Sequence, residues 1–573
     1  MASTSKSAGI PKKRLIICCD GTWMNSDTGY KKPTLWNPVG KLQTPSNVTR
    51  LSRSLRRICN DGKIQIIEYQ SGVGTSGSIG DLLSGGAFGL GISENIRAAY
   101  SFICANYCDG DQIILLGFSR GAFTARSIAG MVSDLGLLTR SGMEYFYPIY
   151  KDMQNWRTPD YEDPFPGVPF DNKPTGEGAG AKYRQMLIDR GLTRVYEGGG
   201  KGPMIKIRAV AVFDTVGSLG VPNVGILAKL GLYRSTKEFR FYDTALSDRI
   251  EYAFQALALD EHRLPFAPSV WERTAANKGA TDLRQVWFPG NHGNIGGGWA
   301  DSGIANISFA WMMDQLASIG VEFDEASIER IFTQLERYYR DEAKKKDSKI
   351  PHMSSDPIRS DSVVASQEEL EGDDGPLCGD LFSSLTATIK HWAMEPIYEN
   401  NVPIRPWSLG ALKGSQGKMA KYTGYDMRLP GLYKKPDPET GGPTTAFLED
   451  TNERVHSSVR VRLALKGLGL NDEAVWSAPA LKGKWHLQKT TERFADPIPH
   501  TVATWEPQRP LSALDGDRGR WIWEYCGPEK DAPPDRILVE EPLGPFERQL
   551  LRLAGGTPNV YEFAEGITVE GFN

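Results

Sequence analysis

The pentapeptide Gly117-Phe118-Ser119-Arg120-Gly121 combines a hydroxyl nucleophile with two glycines placed two residues either side of it. A serine held in a tight turn between a strand and a helix needs small neighbours at those positions, and the turn lifts its Oγ above the sheet edge. Gly accounts for 61 of the 573 residues, so a bare Gly-x-Ser-x-Gly match arises by chance on the order of once per chain or less, and context must decide its meaning. That context is present. The apolar run Ile113-Ile114-Leu115-Leu116 predicts a strand before the turn, and Ala122 to Ala129 predicts a helix after it. The plainer reading is a strand-to-helix turn whose serine caps the helix.

A serine hydroxyl becomes nucleophilic when a base takes its proton, and an imidazole base needs a carboxylate to fix its tautomer and stabilise its cation. The chain has seven histidines: His262, His292, His352, His391, His456, His486 and His500. Reactive groups of a parallel sheet gather at the carboxyl ends of its strands. His292 follows the predicted strand Leu283–Phe288 there, and Asp214 ends the predicted strand Ile205–Phe213. The chain order Ser119, Asp214, His292 is nucleophile, acid, base, the order of α/β-hydrolases. Plainer roles are an Asx-turn for Asp214 and a backbone-bound loop histidine for His292. His262 is the reserve base and Asp301 the reserve acid. The oxyanion donors expected are the amide of Arg120, just after the nucleophile, and an amide of the Asp20-Gly21-Thr22 loop, where Gly21 permits close backbone approach. Asp20-Gly21-Thr22 could also be phosphatase-like, but Cys18 stands where the partner aspartate belongs. Gly296-Gly297-Gly298 is a candidate anion nest or a turn, and Val224–Leu232 a candidate acyl-chain patch or a core helix.

The elements that must position these groups alternate. Arg14–Cys19 and Ile64–Tyr69 read as strands, Ser93–Asn106 as an amphipathic helix, and helices are predicted over 304–319 and 325–340. Strands alternating with helices imply an α/β fold with a mostly parallel, helix-covered sheet. The division expected is a disordered 1–13, a catalytic domain over 14–340, a charged linker or loop over 341–375 and an accessory region over 376–573 packing on the catalytic domain. Residues 142–202 lack clear periodicity and read as an insertion over the sheet, its aromatics Tyr145, Phe146, Tyr147, Tyr150 and Trp156 forming either a lid or a self-packed surface loop.

A net charge of -4 from 66 basic and 70 acidic residues offers no general attraction to nucleic acid or to an anionic membrane. Seven scattered cysteines suit a reducing compartment, and Cys104 and Cys108 lack the second pair or nearby histidine of a zinc site, so neither metal nor cofactor is expected. No apolar run reaches about 18 residues, and the polar start lacks the core of a signal peptide. A soluble cytoplasmic protein is expected, touching a membrane surface only transiently if its ester is a lipid.

Six segments together resemble the uncharacterised α/β-hydrolase domain similar to the catalytic part of type VI secretion phospholipase effectors, in particular its fungal members. They are Cys19-Asp20-Gly21-Thr22-Trp23, Gly72-Val73-Gly74-Thr75, Gly117 to Ala122, Phe213 to Ser218, Asp260-Glu261-His262-Arg263 and Phe288 to Trp299. The resemblance covers roughly Arg14 to Met313 and implies a serine esterase, with phospholipase activity known for bacterial effectors. Asn294 departs from it, standing where many relatives carry an aspartate two residues after the histidine. Asp214 is retained as the acid because an amide cannot stabilise imidazolium by charge. The expectation is therefore an ester hydrolase, of lipids or phospholipids among other esters, working through an acyl-enzyme. A thioesterase or peptidase would use the same groups, and a catalytically silent interaction module would keep only the fold.

Overall fold

The computed structural model describes residues 11–21, 30–31, 41–72, 86–156, 161–216, 244–275, 278–347, 397–399, 402–414, 425–437, 443–490, 520–553 and 560–572. Ten strands form its main sheet: β1 (Lys13–Cys19), β2 (Ile64–Gln70), β3 (Gln112–Phe118), β4 (Ile207–Phe213), β5 (Ile250–Ala258), β6 (Asp282–Phe288), β7 (Glu453–His456), β8 (Trp485–Thr490), β9 (Arg520–Tyr525) and β10 (Ile537–Glu541). Their spatial order is β8-β9-β10-β7-β6-β5-β4-β3-β1-β2. Every neighbouring pair is parallel except β8 with β9 and β9 with β10. The fold is α/β with a mostly parallel sheet.

Both sheet faces are covered, which is why the central strands are continuous apolar runs. In β1, Ile16 and Cys18 face one core while Leu15, Ile17 and Cys19 face the other, following the two-residue period of a strand. Helices α1 (Asn47–Ser54), α7 (Gly303–Ser318) and α8 (Glu325–Asp347) cover the first face. The second is covered by α2 (Gly86–Asn106), α3 (Arg120–Leu135), α4 (Phe146–Asn155) and α5 (Ala179–Asp189). The chain leaves β1 toward β2 and then crosses back to β3 on the other side of β1. In parallel sheets ligands bind at such a reversal, which here falls between the carboxyl ends of β1 and β3.

Several expectations need correction. Residues 142–202 are not a loop laid over the sheet: α4 and α5 bury Phe146, Ile149, Tyr150, Tyr183 and Leu187 in the second core. Phe146, Tyr150 and Trp156 are thereby fixed in the interior, leaving Tyr147 as the exposed member of that aromatic group. Strand β5 lies between β4 and β6, so Asp214 does not end the strand next before His292. Among the described residues of 376–573, expected to be an accessory region packing on the catalytic domain, β7 to β10 continue the main sheet itself. Lys13 already belongs to β1, and α8 runs on to Asp347, into the expected linker. Residues 1–10, 348–375, Val224–Leu232 and Thr22 lie outside the described residues.

Candidate active site

The strand β3 delivers Ser119 at φ 57°, ψ −122°, a backbone conformation that costs a non-glycine residue about 1–3 kcal/mol and persists only where surrounding structure enforces it. The enforcement is visible in the flanking glycines. A methyl group on Gly117 would lie 2.5 Å from Ala122 Cα, and one on Gly121 would lie 2.2 Å from the carbonyl oxygen of Cys19 and 2.4 Å from that of Asp20. Neither site has room for a side chain, so the turn packs directly on the loop after β1. The Ser119 amide donates to Phe213 O at 3.1 Å, tying the turn to the end of β4. Its hydroxyl makes no capping hydrogen bond to α3, which removes the helix-cap reading of this serine.

Asp214 follows β4 at φ 38° and is fully buried. Its amide donates to Ala256 O at 2.7 Å, and its Oδ1 accepts the Ala258 amide hydrogen at 3.1 Å, so it is bound to strand β5 rather than to a local turn. Oδ2 accepts from His292 Nδ1 at 2.6 Å and from Arg428 Nη2 at 3.1 Å. Burial pushes the carboxyl upward, but the Arg428 charge and the His292 hydrogen bond outweigh it and hold Asp214 below the usual carboxylate range.

His292 opens the short helix α6 (His292–Gly296) just after β6. Asn291 caps that helix, accepting from the Gly293 and Asn294 amides, and the Asn294 side chain accepts the Asn291 amide hydrogen in return. The imidazole is packed between Phe118, with ring centroids 4.7 Å apart, and Phe266, edge-on at 4.9 Å. With Nδ1 on Asp214, its Nε2 is buried and has no hydrogen-bond partner among the described residues. A neutral imidazole that donates through Nδ1 carries its acceptor lone pair on Nε2. The approach of α6 requires glycine: a methyl on Gly296 would overlap the Phe118 ring at 1.9 Å.

The other sequence-derived candidates separate into different roles. Asp20 is buried beneath the elbow and accepts from the Ser46, Thr49 and Tyr69 hydroxyls, each at 2.7 Å, and from the Gly21 amide at 2.7 Å. The Gly21 amide is thus already engaged, which argues against it as an oxyanion donor, although its loop does reach the nucleophile: a methyl on Gly21 would lie 3.4 Å from Ser119 Cβ. Arg120 provides the first residue of α3, with its amide at the helix N-terminus. His262 stacks on Tyr425 with ring centroids 4.7 Å apart, and the Asp301 carboxylate accepts from the Gly303 amide and the Tyr339 hydroxyl instead of meeting a histidine. The Gly297 amide closes α6 onto Gly293 O at 3.0 Å, which gives the glycine triplet a helix-ending role. Asn294 Nδ2 donates to Ala411 O and its Oδ1 accepts the Lys413 amide hydrogen, so the residue that departs from the expected aspartate ties α6 to the C-terminal segment.

The family model described as "T6SS, Phospholipase effector Tle1-like, catalytic domain" matches residues 13–315, more than half of the chain. The chain belongs to this family. An uncharacterized protein of Saccharomyces cerevisiae is 26% identical over 301 residues, covering 48% of this chain and 36% of its own length. An uncharacterized protein from Pseudomonas aeruginosa of known crystal structure aligns with 55% of this chain and 46% of its own, at 15% identity and a TM-score of 0.29. This chain therefore spans less than half the length of either relative. Ser119, Asp214 and His292 all lie inside the segment matched by the Tle1-like family.

Arg428 lies outside that segment and was missed by sequence reasoning. It sits in an irregular stretch, Tyr425–Gly431, with neither catalytic motif nor periodicity, and 214 residues separate it from the carboxylate it contacts. No local signal could have found it.

Proposed function

We propose that this chain hydrolyses carboxylic esters of lipids, phospholipids among them, with Ser119 as nucleophile, His292 as general base and acid, and Asp214 as the carboxylate that orients the imidazole. The observation that carries this reading is the 2.6 Å hydrogen bond between His292 Nδ1 and buried Asp214, which leaves Nε2 as the free acceptor, while the ring of Phe118, the residue before the strained serine, packs on the imidazole. The Ser119 proton passes to His292 Nε2 as Oγ bonds to the ester carbonyl carbon, and the carbonyl electron pair moves onto its oxygen. Return of that pair breaks the bond to the alcohol oxygen, which leaves with the proton from Nε2. Water then repeats the sequence on the acyl-serine, releasing the fatty acid and restoring Ser119. The Arg120 amide is the proposed first donor to the oxyanion; the second is assigned to the loop after β1 without choosing Gly21, whose amide is occupied. The lipid class of substrate is supported by membership of the Tle1-like phospholipase effector family.

The test is labelling of the full chain with a fluorophosphonate probe, together with turnover of nitrophenyl esters and phospholipid vesicles. Labelling and turnover that vanish in Ser119→Ala, with a drop on the order of a millionfold in rate, are expected. A folded wild-type chain that neither labels nor turns over any ester would instead favour the silent interaction module.

A further inference from the structure

We propose that Arg428 is a positioning residue of this site, which by sharing Asp214 Oδ2 with His292 fixes the carboxylate that orients the imidazole. The inference rests on the triad reading above. Arg428 has a side chain only 3% exposed, and its contacts span the site. Nη2 donates to Asp214 Oδ2 at 3.1 Å and to Phe266 O at 2.7 Å, while Nε donates to Glu261 O at 3.2 Å. One guanidinium thus holds the carboxylate, the loop after β5 and the residue whose ring lies edge-on against His292.

The electrostatic consequence follows from where the charge sits. A buried carboxylate with no cation beside it is costly to keep ionised, and Asp214 would lose the charge with which it orients its partner. Arg428 is bound to the very oxygen that His292 uses, so the imidazole faces an ion pair instead of a bare negative charge. The remaining charged groups around the ring are themselves compensated. Glu261, whose Oε2 accepts the His292 amide hydrogen at 3.3 Å, is paired with Arg263, and Asp260 accepts from Trp476 Nε1 and the Gly290 amide. His262 is turned onto Tyr425. Arg428 is then the cation in direct contact with the Asp214–His292 pair among the described residues.

Arg428 Nη2 and His292 Nδ1 meet on one carboxylate oxygen, so loss of the guanidinium leaves Asp214 Oδ2 without the donor that holds it toward the imidazole. The experiment compares full-length wild type, Arg428→Met and Arg428→Lys by the low-field proton resonance of His292 Nδ1–H, assigned through His292→Gln, and by kcat and KM on a nitrophenyl ester. Arg428→Met is expected to lose that resonance to exchange and to lower kcat by roughly tenfold or more with KM unchanged, while Arg428→Lys, which restores the charge, keeps the resonance and stays within about threefold of wild-type kcat. Should Arg428→Met not fold, Arg428→Gln removes the charge while keeping an amide donor, and carries the same expectation. A folded, uncharged variant with the wild-type resonance and kcat overturns the assignment, and so does an Arg428→Lys loss as large as that of the uncharged variant. The resonance needs no turnover, so a wild-type chain without Ser119-dependent activity defeats the triad reading separately.

Discussion

Replacing Asp214 by asparagine tests the site with the smallest change of shape. Asp214 uses both oxygens: Oδ1 for the Ala258 amide and Oδ2 for His292 and Arg428. An amide can satisfy only one side. With its NH2 toward His292, it donates to Nδ1 and forces the proton onto Nε2, leaving no lone pair to take the serine proton, while two donors face each other at Arg428. With its oxygen toward His292, its NH2 meets the Ala258 amide across 3.1 Å, donor against donor, at a cost of about 1–3 kcal/mol, and the negative charge that stabilises imidazolium is gone. Either arrangement slows the acyl-transfer steps. The expected loss is roughly ten-thousandfold in kcat, equivalent to about 5 kcal/mol of barrier. The same substitution strips a buried arginine of its counter-ion, which adds about 3–5 kcal/mol of destabilisation and requires that folding be checked by thermal melting. The assay is steady-state hydrolysis of a nitrophenyl ester by folded variant and wild type, with Asp301→Asn as the comparison. Because Asp301 faces Gly303 and Tyr339, Asp301→Asn should leave kcat within about tenfold, or 1.4 kcal/mol, of wild type. A folded Asp214→Asn enzyme that keeps more than about a tenth of wild-type kcat refutes the assignment of Asp214.

Three further outcomes follow from the packing. Asn294→Asp, which restores the residue many relatives carry, should bring no gain in kcat and should lower stability by about 1–3 kcal/mol, because a carboxylate would face Ala411 O where an amide now donates; a rise in kcat would reopen the choice of acid. Gly121→Ala should yield little folded protein, since its methyl would press on two backbone carbonyls at 2.2 and 2.4 Å; soluble expression with wild-type melting would contradict the described contact between elbow and loop. Glu453 is buried, and burial raises its carboxyl from 4.5 to about 8. The folded state then holds a proton that the unfolded state releases, so stability declines as pH rises from about 4.5 to about 8, and Glu453→Gln should flatten that decline in melting temperature. An unchanged pH dependence would show that Glu453 is not the group responsible.

The parts of this architecture that were legible in the sequence are those whose signals are local. Ile113–Leu116 and Leu283–Phe288 are apolar runs that become strands covered on both faces, and Ser119 stands between glycines that the fold requires for steric reasons. Strand β5 was not legible because Ile250–Ala258 is rich in alanine with glutamate and glutamine interspersed, residues that suit a helix as readily as a fully enclosed strand. Helix α4 was obscured by Pro148 and a cluster of aromatics, yet its early position tolerates the proline and its aromatics fill the core. Asn294 read as a possible defect because only its type was known; its two side-chain bonds to Ala411 and Lys413 join segments more than a hundred residues apart. Arg428 was beyond reach for the same reason, since a contact made by folding alone leaves no periodicity or motif behind.

The seam between β6 and β7 places the boundary of the family match inside a single hydrogen-bonded sheet. The segment held in common with the Tle1-like family stops at residue 315, while the next strand on that edge, Glu453–His456, comes from far beyond it. A fragment cut to the family boundary would present the backbone of Asp282–Phe288 as an open edge, with Trp287 losing the stacked ring of Tyr433 and Phe288 that of His456, and such an edge invites pairing with other copies. The matched segment and the hydrogen-bonded sheet are therefore different lengths of chain, and the longer of the two is the one to express.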